Sequence, residues 1–112
     1  SSLAGAPEYS PLLELISEII SSSTSKEVRI YVVTDMMENS IDFDFRNRVP
    51  DFKKATSKYE IDIEKKSVFV FFNYIDRQMY SSNLIKGVLD FWRNFFTSQG
   101  VEFRERKFFY SR

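Results

Sequence analysis

The chain has 112 residues, of which 43% are hydrophobic and 17% aromatic, and its 16 basic side chains balance 16 acidic ones. This length and composition predict a single well-packed domain over residues 1–112, and the zero net charge gives no general attraction to nucleic acid or to an anionic membrane. Cysteine and histidine are both absent, which excludes disulfides, thiolate nucleophiles and zinc–sulfur sites and removes the commonest general base. Any metal ion would have to be a hard cation bound by oxygen.

The N-terminal part of the chain predicts a loose lead-in over residues 1–8 and then a helix. Ser10 suits the N-cap of that helix, and Pro11 suits its first position. No apolar run approaches the roughly 20 residues that span a bilayer, and no signal peptide is visible, so we expect no membrane partner and favour a cytoplasmic location. The apolar stripe of the helix is formed by Leu12, Leu13, Ile16, Ile19 and Ile20.

Three further segments predict strands. Residues 28–34 and 67–74 are apolar on both faces, which is typical of strands in a covered parallel sheet. Residues 101–106 alternate apolar with charged side chains, which favours an edge position for the third strand.

Two more helices separate these strands. A thin apolar pattern predicts one helix over residues 50–59, and a broad stripe with Trp92 in the core predicts another over residues 83–99. Ser82 suits the N-cap of the latter, and Gly100 suits a left-handed C-cap.

The resulting order, α-β-α-β-α-β, predicts an α/β fold with about three parallel strands in two or three layers. Ligands of such sheets bind at the carboxyl ends of the strands. Asp35 directly follows the first strand, whereas Asn73 and Asp76 close the second. We therefore expect these three side chains to line one rim, although an asparagine after a strand also commonly starts a turn.

The acidic loop after the first strand contains the other candidate ligand or partner contacts, namely Glu38, Asn39 and Ser40. Asp35 is the candidate metal ligand of this loop, and the alternative is a carboxylate that accepts backbone N–H bonds in a turn. Glu38, Asp42 and Asp44 would supply further oxygen ligands to a magnesium or calcium ion, but the spacing is not that of an EF-hand. The other interpretation is a solvated acidic loop.

Two stretches, VRIYVVTDMMENS at residues 28–40 and LIKGVLDFWRNFFTSQGVEFR at residues 84–104, resemble the second half of a bacterial von Willebrand factor A-like domain. Asp35 and the polar residues after it carry the resemblance, together with the Phe91-Trp92 pair and Gly100 before the last strand. It covers about residues 10 to 105. It implies a doubly wound α/β fold with a metal-ion-dependent adhesion site that binds a partner and does not catalyse.

Most of that adhesion site has no counterpart in this chain. The family builds it from an Asp-x-Ser-x-Ser loop, a threonine in a middle loop and an aspartate after a later strand, and Asp35 matches only the last of these. In the family's strand order the strand ending at Asp35 lies beside the missing first strand, so here it is expected to be an edge. An apolar edge tends to pair with another chain. We therefore expect a homodimer joined through the 28–34 edge or the nearby exposed sheet face, or a covering partner segment.

Two functions of different classes follow. The first is a non-enzymatic protein-interaction module that has no cofactor and binds neither nucleic acid nor a membrane. The second is a small magnesium-dependent hydrolase or phosphoryl-processing enzyme in which Asp35, Glu38 and Asp42 hold the ion. No glycine-rich phosphate loop is present and no histidine is available as a base, so the interaction module is favoured.

Overall fold

The computed structural model describes residues 9–75 and 79–108, and it shows three parallel strands in one sheet alternating with three helices. The predicted fold class is therefore confirmed. The predicted lead-in, residues 1–8, and Asp76 lie outside the described residues. In chain order the elements are α1 (Leu12–Ser22), β1 (Glu27–Thr34), α2 (Phe52–Lys58), β2 (Ser67–Ile75), α3 (Ser82–Thr97) and β3 (Glu102–Phe108).

The strands lie in the order β1-β2-β3, so β2 is central and β1 and β3 are the edges, as the sequence predicts for both. β1 pairs in register with β2 from Glu27 opposite Ser67 onward, and β2 pairs with β3 from Phe69 opposite Glu102 onward. Within the described ranges, β2 is the only strand that pairs with β1. The outer edge of β1 is therefore not extended by another strand of the described chain.

One face of the sheet is covered and the other is open. The side chains of Val68, Val70 and Phe72 on β2 are at most 3% exposed and pack against the helices, whereas Tyr31 and Val33 on the opposite face of β1 are 64% and 62% exposed. Both crossovers advance in the same direction across the sheet, so connections of one hand place their helices on one face. The fold therefore has two layers, which is one of the two predicted arrangements, and one face of β1 and β2 is open although their apolar patterns are typical of strands covered on both faces.

The core between the two layers is mainly aromatic. Trp92, Phe95 and Phe96 on α3 are completely buried, which confirms the core assignment of Trp92. The Trp92 ring meets Phe72 of β2 edge-on, with 5.2 Å between centroids, and Phe96 stacks on Phe103 of β3 at 5.5 Å. Edge-to-face and offset contacts of this kind stabilise beyond the burial of apolar area alone.

The start of α1 differs from the prediction. Its N-cap position is Pro11, which provides no side-chain cap, so the predicted cap by Ser10 is wrong. The backbone of Ser10 instead pairs with that of Asn39, through hydrogen bonds of 2.8 and 3.1 Å. This strand-like pairing keeps Ser10 out of the helix. The carboxylate of Glu38, in the loop after β1, caps the helix instead.

Both ends of α3 are formed by local hydrogen bonds. Its N-cap is Ser81, one residue before the predicted Ser82, and the Ser81 hydroxyl accepts the N–H of Leu84 at 3.1 Å. Gly100 has φ of 82°, and the Val101 N–H donates to the Phe96 carbonyl at 3.1 Å. This six-to-one bond is the mark of a Schellman motif, and it confirms the predicted left-handed cap at Gly100.

Candidate functional site

Asp35 follows β1 as predicted, and it stabilises the turn that leaves the strand. Its Oδ1 accepts the N–H of Met37 at 3.0 Å, and the hydroxyl of Thr34 accepts the N–H of Met36 at 2.9 Å. Between them Met36 adopts a left-handed conformation with φ of 67°. Asp35 thus has the backbone-accepting role that is the alternative to a ligand contact.

Glu38 lies inside the protein. Its side chain is completely buried, and Oε1 accepts the backbone N–H of Leu13 in the first turn of α1 at 3.0 Å. Burial raises the pKa of this carboxyl above its ordinary value, while the Ser40 hydroxyl and the N–H groups of Leu13 and Leu12 oppose the increase. Glu38 therefore caps a helix from a distant loop and does not contribute to a solvent-facing rim.

The two other loop candidates form a compact turn. Asn39 bridges to Ser10 and to Asp44 through its backbone, and the N–H of Ser40 donates to the Phe43 carbonyl at 2.8 Å. The Ser40 hydroxyl and Glu38 Oε2 are both buried. Through Glu38 and Asn39, the loop after β1 is hydrogen-bonded to the beginning of α1.

The carboxylates that the enzyme hypothesis requires have separate partners. Asp42 Oδ2 lies 2.6 Å from the Lys58 ammonium, Glu38 is bonded to the start of α1, and Asp35 is bonded to its own turn. In the part of the chain that the structure describes, no group of three or more acidic side chains is placed to hold a metal ion.

Asn73 does not lie at the end of its strand, because β2 continues to Ile75. The register places it beside Val33 of β1 and Arg106 of β3. Strand alternation puts these side chains on the uncovered side of the sheet, together with Phe69 and Phe71. The structure therefore separates Asn73 from the buried Glu38 and assigns it to a different surface.

This surface, which we call the open face, consists of three rows of side chains that run across the sheet. Each row has one residue from β1, one from β2 and one from β3, aligned by the backbone register. The rows are Arg29–Phe69–Glu102, Tyr31–Phe71–Arg104 and Val33–Asn73–Arg106.

The centre of the open face is aromatic. The rings of Tyr31 and Phe71 stack with 4.7 Å between centroids and 9° between planes, and the Phe69 ring lies within 12° of the Phe71 plane. The guanidinium of Arg29 lies 5.3 Å from the centre of the Phe69 ring. Cross-strand stacking and this cation–π contact order the aromatic side chains while leaving them accessible to a partner.

Charged side chains of both signs border the aromatic centre. On β1, Arg29 Nε lies 2.8 Å from a carboxylate oxygen of Glu27, and on β3, Arg104 lies 3.5 Å from Glu102. These side chains are about half exposed, so each pair contributes little to the stability of the fold. They are accordingly available to exchange partners when another surface approaches.

The sequence predicts an exposed sheet face near β1 as one possible dimer surface but does not identify its residues, although a signal for them is present. Glu27 and Arg29 occupy one face of β1 while Val28, Ile30 and Val32 occupy the other. The charges at the beginning of β1 mark the uncovered side, but Tyr31 and Val33 make the rest of that side resemble a buried one.

Together, the fold and the open face define a small two-layer parallel α/β domain with an exposed aromatic sheet surface. In comparisons with known proteins, the chain matches no family model, no curated protein and no solved structure. Within residues 9–75 and 79–108, none of the helices combines the length and the apolar character needed to cross a membrane.

Proposed function

We propose that this chain is a non-enzymatic protein-interaction module that forms a homodimer through its open face. The observation that carries the proposal is the exposure of Tyr31 and Val33, at 64% and 62%, beside Phe69 and Phe71 on a sheet face that no helix within residues 9–75 and 79–108 covers. A contiguous apolar patch with a polar border is characteristic of an interaction surface.

The charge pattern favours a second copy as the partner. The β1 border carries Glu27 and Arg29, and the β3 border carries Glu102, Arg104 and Arg106, so both borders contain both signs. An interface between identical copies uses the same patch twice and must be complementary to itself. Borders of mixed sign meet that requirement, whereas a border of one sign would repel its own copy.

The aromatic geometry favours a protein over a single-stranded nucleic acid. Bases bind such a sheet by stacking on free aromatic ring faces within a positively charged surface. Here Tyr31 and Phe71 stack on each other, and Arg29 lies over the Phe69 ring. The chain as a whole has no net charge, and Glu27 and Glu102 lie on the same surface.

The size of the open face sets the expected strength of the dimer. All three strands overlap from Phe69 to Tyr74 of β2, which corresponds to about 20 Å along the strands and about 14 Å across them. Two such footprints cover about 560 Å² in total, which is below the roughly 1,200 Å² at which stable specific interfaces begin. We therefore expect a weak, concentration-dependent dimer.

Two other proposals fit the described geometry less well. Pairing of two chains along the 28–34 edge would extend the sheet but would leave Tyr31 and Val33 exposed. The magnesium enzyme requires Asp35, Glu38 and Asp42 to converge on an ion, and these carboxylates have separate partners. A partner-binding role also agrees with what the von Willebrand A-like resemblance implies, although it does not depend on that resemblance.

The proposal is tested by sedimentation velocity of the chain from about 10 µM to about 1 mM, a range that covers weak dimers. Val33→Lys places a charge on the exposed apolar part of the open face and is expected to abolish self-association. Ile41→Lys is the matched control, because Ile41 is 91% exposed in the loop after β1 and lies off the open face. It should associate like the parent chain.

Three results would contradict the proposal. A parent chain that stays monomeric throughout the range excludes the homodimer. A dimer that survives Val33→Lys uses another surface, such as the β1 edge. Binding of a fluorescent single-stranded oligonucleotide that is lost in Val33→Lys but kept in Ile41→Lys would assign the open face to nucleic acid instead.

A further inference from the structure

The first row of the open face has opposite charges at its two ends. Arg29 on β1 and Glu102 on β3 both align with Phe69 on the central strand, so they occupy the same position along the strands. The distance between them across the sheet spans two strand spacings, about 10 Å. They do not pair with each other, because Arg29 contacts Glu27 and Glu102 contacts Arg104.

We propose that two copies pack face to face around a two-fold axis that runs parallel to the strands and passes over β2, so that Arg29 of each copy pairs with Glu102 of the other. This inference rests on the proposed homodimer and specifies its geometry. Such an axis exchanges the two edge strands and leaves the position along the strands unchanged. Each row therefore lies over the same row of the partner in reverse order.

The row order makes this arrangement complementary. The first row brings Arg29 over Glu102 at both ends, and Phe69 over its own copy in the middle. In the second row, Tyr31 of one copy lies over Arg104 of the other, which allows a guanidinium to approach an aromatic ring. Face-to-face sheets pack about 10 Å apart, so long side chains from both copies reach into the space between them.

A two-fold axis across the strands gives a poorer fit. Centred on Phe71, it reverses the position along the strands and brings Arg104 over its own copy. It places Arg29 over Val33 and Glu102 over Arg106, whereas the axis parallel to the strands places Arg106 over Val33 and Glu102 over Arg29. The two arrangements therefore differ mainly at Arg104, which meets its own copy in the first and Tyr31 in the second. Like charges in contact disfavour association, so the axis parallel to the strands, which avoids the contact of Arg104 with its own copy, is preferred.

The existing ion pairs do not prevent the exchange. Arg29 and Glu27 have side chains that are 53% and 56% exposed, and Arg104 and Glu102 are similarly accessible. Pairs in this environment are weak and readily rearranged. Pairing across the interface would place the same charges in a less hydrated space, where their attraction is stronger.

The test is a charge swap between two separately prepared variants. Arg29→Glu places carboxylates opposite each other at both contacts of its homodimer, and Glu102→Arg places guanidinium groups there. Each variant alone is expected to dimerise at least about 10-fold more weakly than the parent chain, equivalent to about 1.4 kcal/mol. An equimolar mixture restores opposite charges at both contacts and should form a heterodimer with near-parental affinity.

Sedimentation of the mixture with one variant fluorescently labelled measures that affinity, and circular dichroism with thermal melting verifies that each variant is folded. The control is Lys86→Glu, which reverses an exposed charge on α3, away from the open face. It should neither weaken the parental dimer nor bind Arg29→Glu preferentially. The double variant Arg29→Glu/Glu102→Arg is a second check, because it should recover a homodimer.

The outcomes separate this inference from the proposed function. A monomeric parent chain overturns both. A parental dimer that Val33→Lys abolishes, but that Arg29→Glu and Glu102→Arg leave unchanged, preserves the homodimer and overturns the strand-parallel axis. Weakening by both single variants without preferential association in their mixture also overturns the axis, because it shows that the two charges do not face each other.

Discussion

The indole nitrogen of Trp92 donates a 2.9 Å hydrogen bond to the backbone carbonyl of Met36, and this bond connects the middle of α3 to the turn after β1. Both residues are buried, and Met36 has φ of 67°, a conformation that is unfavourable for any residue other than glycine. The indole satisfies the carbonyl that this conformation directs into the core. It therefore stabilises the strained turn from which the acidic loop departs.

We expect Trp92→Phe to lower the free energy of unfolding by about 2–4 kcal/mol, because it combines a cavity with a buried carbonyl that has lost its donor. Urea unfolding followed by circular dichroism measures the loss, since the only tryptophan is removed. Phe95→Leu is the control, because it replaces another fully buried ring of α3 with a smaller apolar side chain and removes no side-chain hydrogen bond. Equal losses in both variants would argue against a stabilising role of the bond to Met36.

Glu38 makes the stability of the protein dependent on pH. Its carboxyl is buried, and its pKa is raised above the ordinary 4.5, mainly because burial disfavours the charged form. A group with a raised folded-state pKa contributes its full stability below the unfolded value and loses it as pH rises through the folded value. Ionisation of Glu38 therefore destabilises the fold as the pH increases above 4.5.

Glu38→Gln removes the charge but keeps an oxygen that can accept the Leu13 N–H. We expect the variant to be more stable than the parent chain at neutral pH, and we expect this advantage to vanish as the pH falls below 4.5. Urea midpoints measured across this pH range test the prediction. Glu18→Gln changes an exposed carboxylate of α1 and is the control. A constant difference between Glu38→Gln and the parent at all pH values would contradict it.

Two glycines, one inside α3 and one just after it, should respond oppositely to alanine. Gly100 has φ of 82°, and a Cβ there would lie 2.8 Å from Cδ1 of Ile63, so Gly100→Ala is expected to cost about 1–2 kcal/mol. Gly87 lies inside α3 with nothing within 4 Å of an added Cβ, so Gly87→Ala should gain about 0.5–1 kcal/mol.

Thermal and urea unfolding of the two glycine variants, with the parent chain in parallel, measure both effects. A neutral Gly100→Ala would mean that the turn after α3 relaxes without a left-handed residue. A destabilising Gly87→Ala would mean that a neighbouring part of the chain approaches position 87 too closely to leave room for a Cβ.

The alternating elements could be predicted because each depends on local information. The stripe around Trp92 has a helical period, and Gly100 is the residue type that a left-handed cap requires, so both assignments are confirmed. The boundaries of β1 and β2 agree to within one residue at each end for the same reason: short apolar runs between polar segments are typical of strands.

The features that escaped prediction depend on contacts between distant residues. Glu38 resembles a solvated loop carboxylate until it is placed against Leu13, 25 positions earlier in the chain. The open face is apolar at Tyr31 and Phe71, so its composition does not distinguish a covered strand from an exposed one. Which side the helices cover is decided by the direction of the crossovers, which the hydrophobic pattern alone does not encode.

Two capped helices of different length should respond differently to loss of the cap. Asp51 Oδ1 accepts the Lys53 N–H at 3.0 Å at the start of α2, and Ser81 has the same role for α3. Replacing either by alanine removes a bond worth about 1 kcal/mol. The helix α2 has seven residues and buries only Ala55 completely, whereas α3 supplies much of the core.

We therefore expect Asp51→Ala to loosen α2 locally, with faster hydrogen exchange of the Tyr59 amide, which donates to the Ala55 carbonyl, and little change in global stability. Ser81→Ala should lower the global free energy of unfolding by about 1 kcal/mol, because α3 cannot separate from the sheet without unfolding the core. Amide exchange by NMR together with urea unfolding distinguishes the two responses. A global loss in Asp51→Ala as large as that in Ser81→Ala would show that α2 unfolds cooperatively with the rest of the domain.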